Sequence, residues 1–140
     1  MSIDSQNSAE VSQILGIDFG KAKVGLALAD NETKMAFAYK TVENNKELVQ
    51  KLAEIISKEN VKRIIIGIPS YINKGSVEYE GEKLGKLLEE ILKIPVKYQN
   101  EMFTTKMAQA NLIEKGAKDI KRFDDEESAK IILQEWLDNN

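Results

Sequence analysis

Apolar residues form three short runs at the front of the chain and then switch to a longer period. Ile14–Phe19 is an apolar run broken by Asp18, Val24–Ala29 follows a turn at Gly20, and Met35–Tyr39 follows the turn signal Asp30–Asn31. Runs of this length bounded by turn residues predict strands, here a three-strand meander. Leu48, Leu52, Ile55 and Ile56 recur at helical spacing and predict a helix over 45–58. Val61–Ile68 carries Ile64, Ile65 and Ile66 in succession, the signature of a central strand covered on both faces, and Gly67 and Pro69 end it. A polar loop with Asn73, Gly75 and Ser76 leads to a helix bearing Leu84, Leu87, Leu88 and Ile91. Pro95 opens a short strand, Pro95–Gln99. Thr104 or Thr105 caps a helix running to about Glu114 with Gly116 as its stop, and the last helix runs from about Asp124 to Leu137.

The element order β-β-β-α-β-α-β-α-α defines an α/β protein with a five-stranded mixed sheet flanked by helices. A chain of 140 residues suits one domain, here 14–140, behind a polar arm over 1–13 that reads as flexible. That arm has no basic stretch followed by an apolar run, and nothing in the chain approaches a membrane span. The expectation is a cytoplasmic protein with no membrane partner.

The chain has neither cysteine nor histidine. Disulfides, thiolate chemistry and the commonest general base are thereby excluded, and any metal must be held by oxygen, which favours Mg²⁺ or Mn²⁺ over zinc. Hydrolysis of a phosphodiester by such a chain requires carboxylates on separate rigid elements that converge on metal ions. Three acids stand out. Asp18 is a charge within an apolar strand, costly unless paired or bound to a cation, and Gly16 and Gly20 leave room for close approach. A strand-end aspartate bonded to a turn accounts for it equally well. Glu101 lies just beyond a strand end, where α/β folds place ligands, although loop glutamates are common. Asp125 shares a helical face with Ala129, Ile132 and Trp136, which aims it at the sheet. The helix dipole alone explains the neighbouring Asp124, Glu126 and Glu127, and in part Asp125.

The net charge of −3 is not that of a broadly basic nucleic-acid binder, so local clusters matter more. Lys115, Lys118, Lys121 and Arg122 precede Asp125, and Lys21 and Lys23 follow Asp18. Both groups suit phosphates beside a metal site, and both also suit solvated loops.

Four ordered segments carry a family resemblance: ILGIDFGKAKVGLALAD from Ile14, IIIGIP from Ile64, NEMFTT from Asn100 and DEESAKIILQ from Asp125. Together they resemble the YqgF/RuvX family of RNase H-like nucleases over Ile14–Leu137. The resemblance implies an RNase H-like fold and metal-dependent hydrolysis of nucleic acid. Its catalytic and metal-binding carboxylates fall on Asp18, Glu101 and Asp125. Structured RNA (the 5′ end of pre-16S rRNA) and branched DNA (a Holliday junction) are the implied substrates, with Lys21, Lys23, Lys118, Lys121 and Arg122 as nucleic-acid contacts. Either a monomer or a homodimer is compatible, two symmetric junction cuts requiring two sites. The chain departs from the family pattern at Lys23 and Met102, where arginine is usual, and lysine lacks arginine's bidentate fork. A non-catalytic nucleic-acid-binding module is therefore the competing class. An actin-like ATPase or sugar kinase, suggested by Asp18-Phe19-Gly20, needs two such domains where this chain supplies one.

Overall fold

The computed structural model describes residues 11–68, 79–100 and 124–140. Their elements are β1 (Gln13–Phe19), β2 (Lys23–Asp30), β3 (Ala36–Glu43), α1 (Leu48–Lys58), β4 (Val61–Ile68), α2 (Glu80–Leu92), β5 (Val96–Asn100) and α3 (Asp125–Asp138). The five strands form one sheet in the order β3-β2-β1-β4-β5. The meander β1–β2–β3 is antiparallel, whereas β4 runs parallel to β1 and β5 parallel to β4. This is the α/β, five-stranded mixed sheet that the pattern predicts. The helix expected over 104–114 and the loop containing Asn73 to Ser76 lie outside the described residues.

Several boundaries differ from the pattern: α1 starts at Leu48 instead of residue 45, β5 is shifted by one residue, and β3 and the N-terminal arm differ further. β3 runs on to Glu43 instead of stopping at Tyr39. It is an edge strand, only partly buried on either face past Ala36, so its second half carries Lys40, Thr41 and Glu43 and shows no apolar run. The arm expected to be loose through residue 13 is anchored from Val11 onward. Asn60 Nδ2 donates to the Val11 carbonyl (3.0 Å), and Asn31 N–H donates to the Ser12 carbonyl (3.0 Å).

Strand alternation sorts the sheet into two unlike faces. Leu15, Ile17, Val24, Leu26, Ile64 and Ile66 pack on one side against Leu48, Leu52, Ile55 and Ile56 of α1 and Leu84 and Leu88 of α2. On the other side Ile14, Ala27, Ala29, Ala36 and Ile65 receive Ala129, Leu133 and Leu137 of α3. The first face is built of large aliphatics, each contributing ~1.5–3 kcal/mol when fully buried. The second is built largely of alanine and glycine, so α3 lies close enough to touch all five strands. The buried stripe of α3 is Ser128, Ala129, Ile132, Leu133 and Leu137, with Trp136 only partly covered. It is thus turned slightly from the Asp125–Ala129–Ile132–Trp136 line that the periodicity suggests, and Trp136 sits at its rim beside Arg63.

Candidate functional site

The β1–β2 hairpin sets the geometry. Gly20 N–H donates to the Lys23 carbonyl (3.0 Å), closing a turn on Lys21 and Ala22, and each pair above it is then fixed. Asp18 falls opposite Gly25. On its other side Asp18 is in register with Gly67 of β4. Extending the row outward, Gly25 pairs with Thr41 of β3 and Gly67 with Gln99 of β5. Asp18 therefore stands at the centre of a row Thr41–Gly25–Asp18–Gly67–Gln99. It shares its face with Gly16, the face that α3 covers.

Both immediate neighbours of Asp18 lack side chains, and α3 occupies the space this leaves. A Cβ on Gly25 would fall 2.9 Å from the Asp125 Cβ and closer still to the Asp125 carbonyl. A Cβ on Gly67 would meet Ile132 Cδ1 at 2.6 Å. Cross-strand Cβ positions are separated by ~4.5–5.5 Å, so the Asp18 and Asp125 Cβ atoms lie within about 8.5 Å of each other. The glycines that matter are thus the spatial neighbours Gly25 and Gly67. Of the sequence neighbours expected to leave room, Gly16 does admit α3, with Leu133 and the Ala129 carbonyl over it, whereas Gly20 closes the hairpin.

The first turn of α3 is acidic, with Asp125, Glu126 and Glu127 behind the N-cap position of Asp124. The helix dipole favours these charges there. They do not share one role. Glu126 Oε1 accepts a hydrogen bond from Thr41 Oγ1, tying the helix start to β3 at the end of the Asp18 row. Asp125, held against Gly25, is left as the acid beside Asp18. Both Asp18 and Asp125 are half-buried.

Lys21 and Lys23 are exposed on the hairpin at the same edge of the sheet, and neither makes an ion pair among the described residues. Lys23 lies two positions from Gly25 on β2 and therefore projects from the face that holds Asp18. Asn44 secures this hairpin. Its Nδ2 donates to the Gly20 carbonyl (2.7 Å) and its N–H to the Ala22 carbonyl (2.9 Å). Composition gives no reason to single out Asn44, which becomes visible only when β3 is seen returning past the hairpin tip.

Glu101 follows Asn100, the last residue of β5, which pairs with Ile68 at the edge where β1 and β4 also end. Glu101 itself, and Lys118, Lys121 and Arg122, lie outside the described residues. Among the described residues no group of three potential ligands is close enough to enclose a metal ion. Asp18 and Asp125, brought near each other by the packing of α3 onto Gly25, supply carboxylate oxygens, the donor type that fits a hard, oxygen-seeking cation. Among the described residues no helix is long and apolar enough to cross a membrane.

Comparison with known proteins gives a consistent answer. Residues 12–139 match the family described as RuvX, Holliday junction resolvase. A Porphyromonas gingivalis protein named "Putative pre-16S rRNA nuclease" is 36% identical over 136 residues, covering 92% of this chain and 98% of that one. A protein of the same name from Caldanaerobacter subterraneus subsp. tengcongensis is 34% identical over 137 residues, covering 91% and 96%. Among solved structures, T. thermophilus RuvC in complex with a Holliday junction substrate aligns with a TM-score of 0.56 at 15% identity, covering 90% of this chain and 93% of that one. A fowlpox virus resolvase with Holliday junction DNA aligns at 0.57 and 11% identity, covering 91% and 97%. At these identities the structural likeness establishes the fold, which is RNase H-like.

Proposed function

The chain belongs to the RuvX family, and on that premise we propose that it is a metal-dependent endonuclease whose reaction is 5′-end processing of pre-16S rRNA. The observation that carries the reading is the packing of Asp125 onto Gly25, the cross-strand partner of Asp18. That contact joins the first strand and the last helix, far apart in sequence, at two carboxylates. Glu101, one residue beyond the end of β5, is the third member of the set. Asp18, Glu101 and Asp125 hold Mg²⁺ or Mn²⁺. When bound, the cation supplies Lewis-acid activation of the attacking water and charge compensation at the phosphate.

The chain's own residues do the rest. Lys23, on the Asp18 face, neutralises charge that develops on the scissile phosphate. Lys21 and the Lys118, Lys121 and Arg122 group grip phosphates to either side, contacts that position the strand without reading its sequence. Lysine at position 23 and methionine at 102 weaken this grip relative to the arginines usual in the family, while the carboxylates are intact. RNA is favoured by the names of relatives above 30% identity; a four-way DNA junction is the second substrate, favoured by the family's description.

The test is incubation with Mn²⁺ or Mg²⁺, a precursor 16S rRNA fragment and a four-way DNA junction. Cleavage of the RNA, abolished in Asp18→Asn, is the expected result. Cleavage of the junction alone assigns the resolvase activity instead. Binding without cleavage under every metal condition overturns the nuclease and leaves a nucleic-acid-binding module.

A further inference from the structure

A second cationic site lies on the same face of the sheet, at the opposite end of α3. A cavity of about 260 Å³ is walled by Lys34, Arg63, Lys97, Trp136, Asn31 and Asn140 over an apolar floor. Three of these side chains are cations and none is acidic, in a chain whose net charge is −3. Lys34, Arg63 and Lys97 are all exposed. The Arg63 guanidinium sits 5.7 Å from the centre of the Trp136 ring. A guanidinium held against an aromatic ring is ordered before any ligand arrives and keeps its donor edge for a planar or tetrahedral oxyanion. Asn31 adds an amide donor, whereas the Asn140 Nδ2 donates to the Trp136 carbonyl (2.8 Å) and holds that wall in place. Small-molecule pockets run to about 300–1,000 Å³, so this one suits a phosphate with part of its sugar better than a whole cofactor.

Its position relates it to the Asp18 row. Lys97 and Gln99 are alternate residues of β5 on the face covered by α3, and Gln99 ends the row through Asp18. Arg63 lies four residues before Gly67 on β4, about 13 Å at ~3.3 Å per residue. Along α3, Trp136 is eleven residues from Asp125, or about 17 Å at 1.5 Å per residue. A strand rising roughly 3.4 Å per nucleotide covers that span in about four or five nucleotides.

We propose that the Lys34–Arg63–Lys97 pocket binds a backbone phosphate of the nucleic-acid strand, four to five nucleotides from the bond addressed by Asp18. This rests on nucleic acid being the substrate but not on its being cut. The pocket extends the footprint beyond the carboxylates and offsets the weaker grip where lysine and methionine replace arginine near the site.

Trp136 is the chain's only tryptophan, so its emission reports on the pocket directly. The full chain, in EDTA so that no strand is cut, is titrated with a single-stranded RNA oligonucleotide and separately with the same sequence as DNA. Binding is followed by anisotropy of the labelled strand and by Trp136 emission. The expected result is an emission change that tracks the anisotropy for both strands. In Lys34→Ala/Lys97→Ala, which leaves the Arg63–Trp136 stacking in place, the slope of log affinity against log salt should fall by about 1 for each phosphate no longer neutralised. Asp18→Asn should keep the full emission response. Flat emission while anisotropy reports saturation overturns the proposal, as does absence of any binding, an unchanged salt slope in the double variant, or a response to inorganic phosphate but not to either strand. An emission response in a protein that cleaves no RNA or DNA retains the pocket and removes the nuclease reading.

Discussion

Replacing Gly25 with alanine perturbs the site without touching a carboxylate. The new methyl carbon would lie 2.9 Å from the Asp125 Cβ and nearer still to the Asp125 carbonyl, a backbone group that cannot rotate away. The first turn of α3 must retreat by on the order of 1 Å, a misplacement that can cost about 100-fold in rate. Overpacking of this kind costs ~1–3 kcal/mol, and rigid backbone as the obstacle places Gly25→Ala at the upper end. For a domain of this size each kcal/mol lowers Tm by roughly 3–5 °C, so a loss near 10 °C is expected. Gly85→Ala serves as the control. Its Cβ would also crowd a neighbour, but that neighbour is the hydroxyl end of Tyr98, on the opposite face of the sheet from Asp18. It should lower Tm by less and leave cleavage intact. The assay pairs thermal unfolding with cleavage of the precursor rRNA at a temperature where both variants are folded. Gly25→Ala with the cleavage rate and Tm of the parent chain would refute the claim that this packing sets the site.

Two other perturbations address separate parts of the molecule. Asn44→Ala removes the side-chain bond to the Gly20 carbonyl, costing ~1 kcal/mol, and loosens the hairpin that presents Lys21 and Lys23; kcat/KM should fall several-fold, through KM where Lys21 grips the strand and through kcat where Lys23 meets the developing charge, and an unchanged kcat/KM would contradict that role. Burial, followed by the hydrogen bond to Glu59 (3.0 Å) and the charge of that carboxylate, raises the Tyr39 phenol above its ordinary value of 10.0. The folded state therefore holds the phenolic proton more tightly than the unfolded state does. Its contribution to stability is complete below about pH 10 and is lost as pH rises through the raised value. The difference in Tm between the parent chain and Tyr39→Phe should shrink across that window, and a difference that stays constant would contradict the assignment.

Much of the fold is legible because burial writes itself into the sequence. The run Ile64–Ile65–Ile66 marks β4 as an interior strand covered on both faces, and Leu48, Leu52, Ile55 and Ile56 mark a helix that covers one of them. β3 is less legible because an edge strand need not be apolar, and its Thr41 and Glu43 read as loop. Asp18 and Asp125 stand out as charges on apolar elements, but what joins them is a register. Gly25 is as far beyond the hairpin turn as Asp18 is before it, so the pairing is readable once the turn is placed at Lys21–Ala22. The packing of Gly25 against α3 is not readable, since it depends on how a helix a hundred residues later crosses the sheet. Asn44 and the Thr41–Glu126 bond are hidden for the same reason. So is the Lys34–Arg63–Lys97 pocket, assembled from a turn and two strands with a helix end.

The most direct test of the central claim, that Asp18 and Asp125 serve one divalent cation, is a calorimetric Mn²⁺ titration of the parent chain, Asp18→Asn and Asp125→Asn. A shared site predicts that each single substitution weakens binding at least tenfold and that the double variant is scarcely worse than either, because ligands of one ion are not additive. Parent-like Mn²⁺ affinity in either single variant would contradict it.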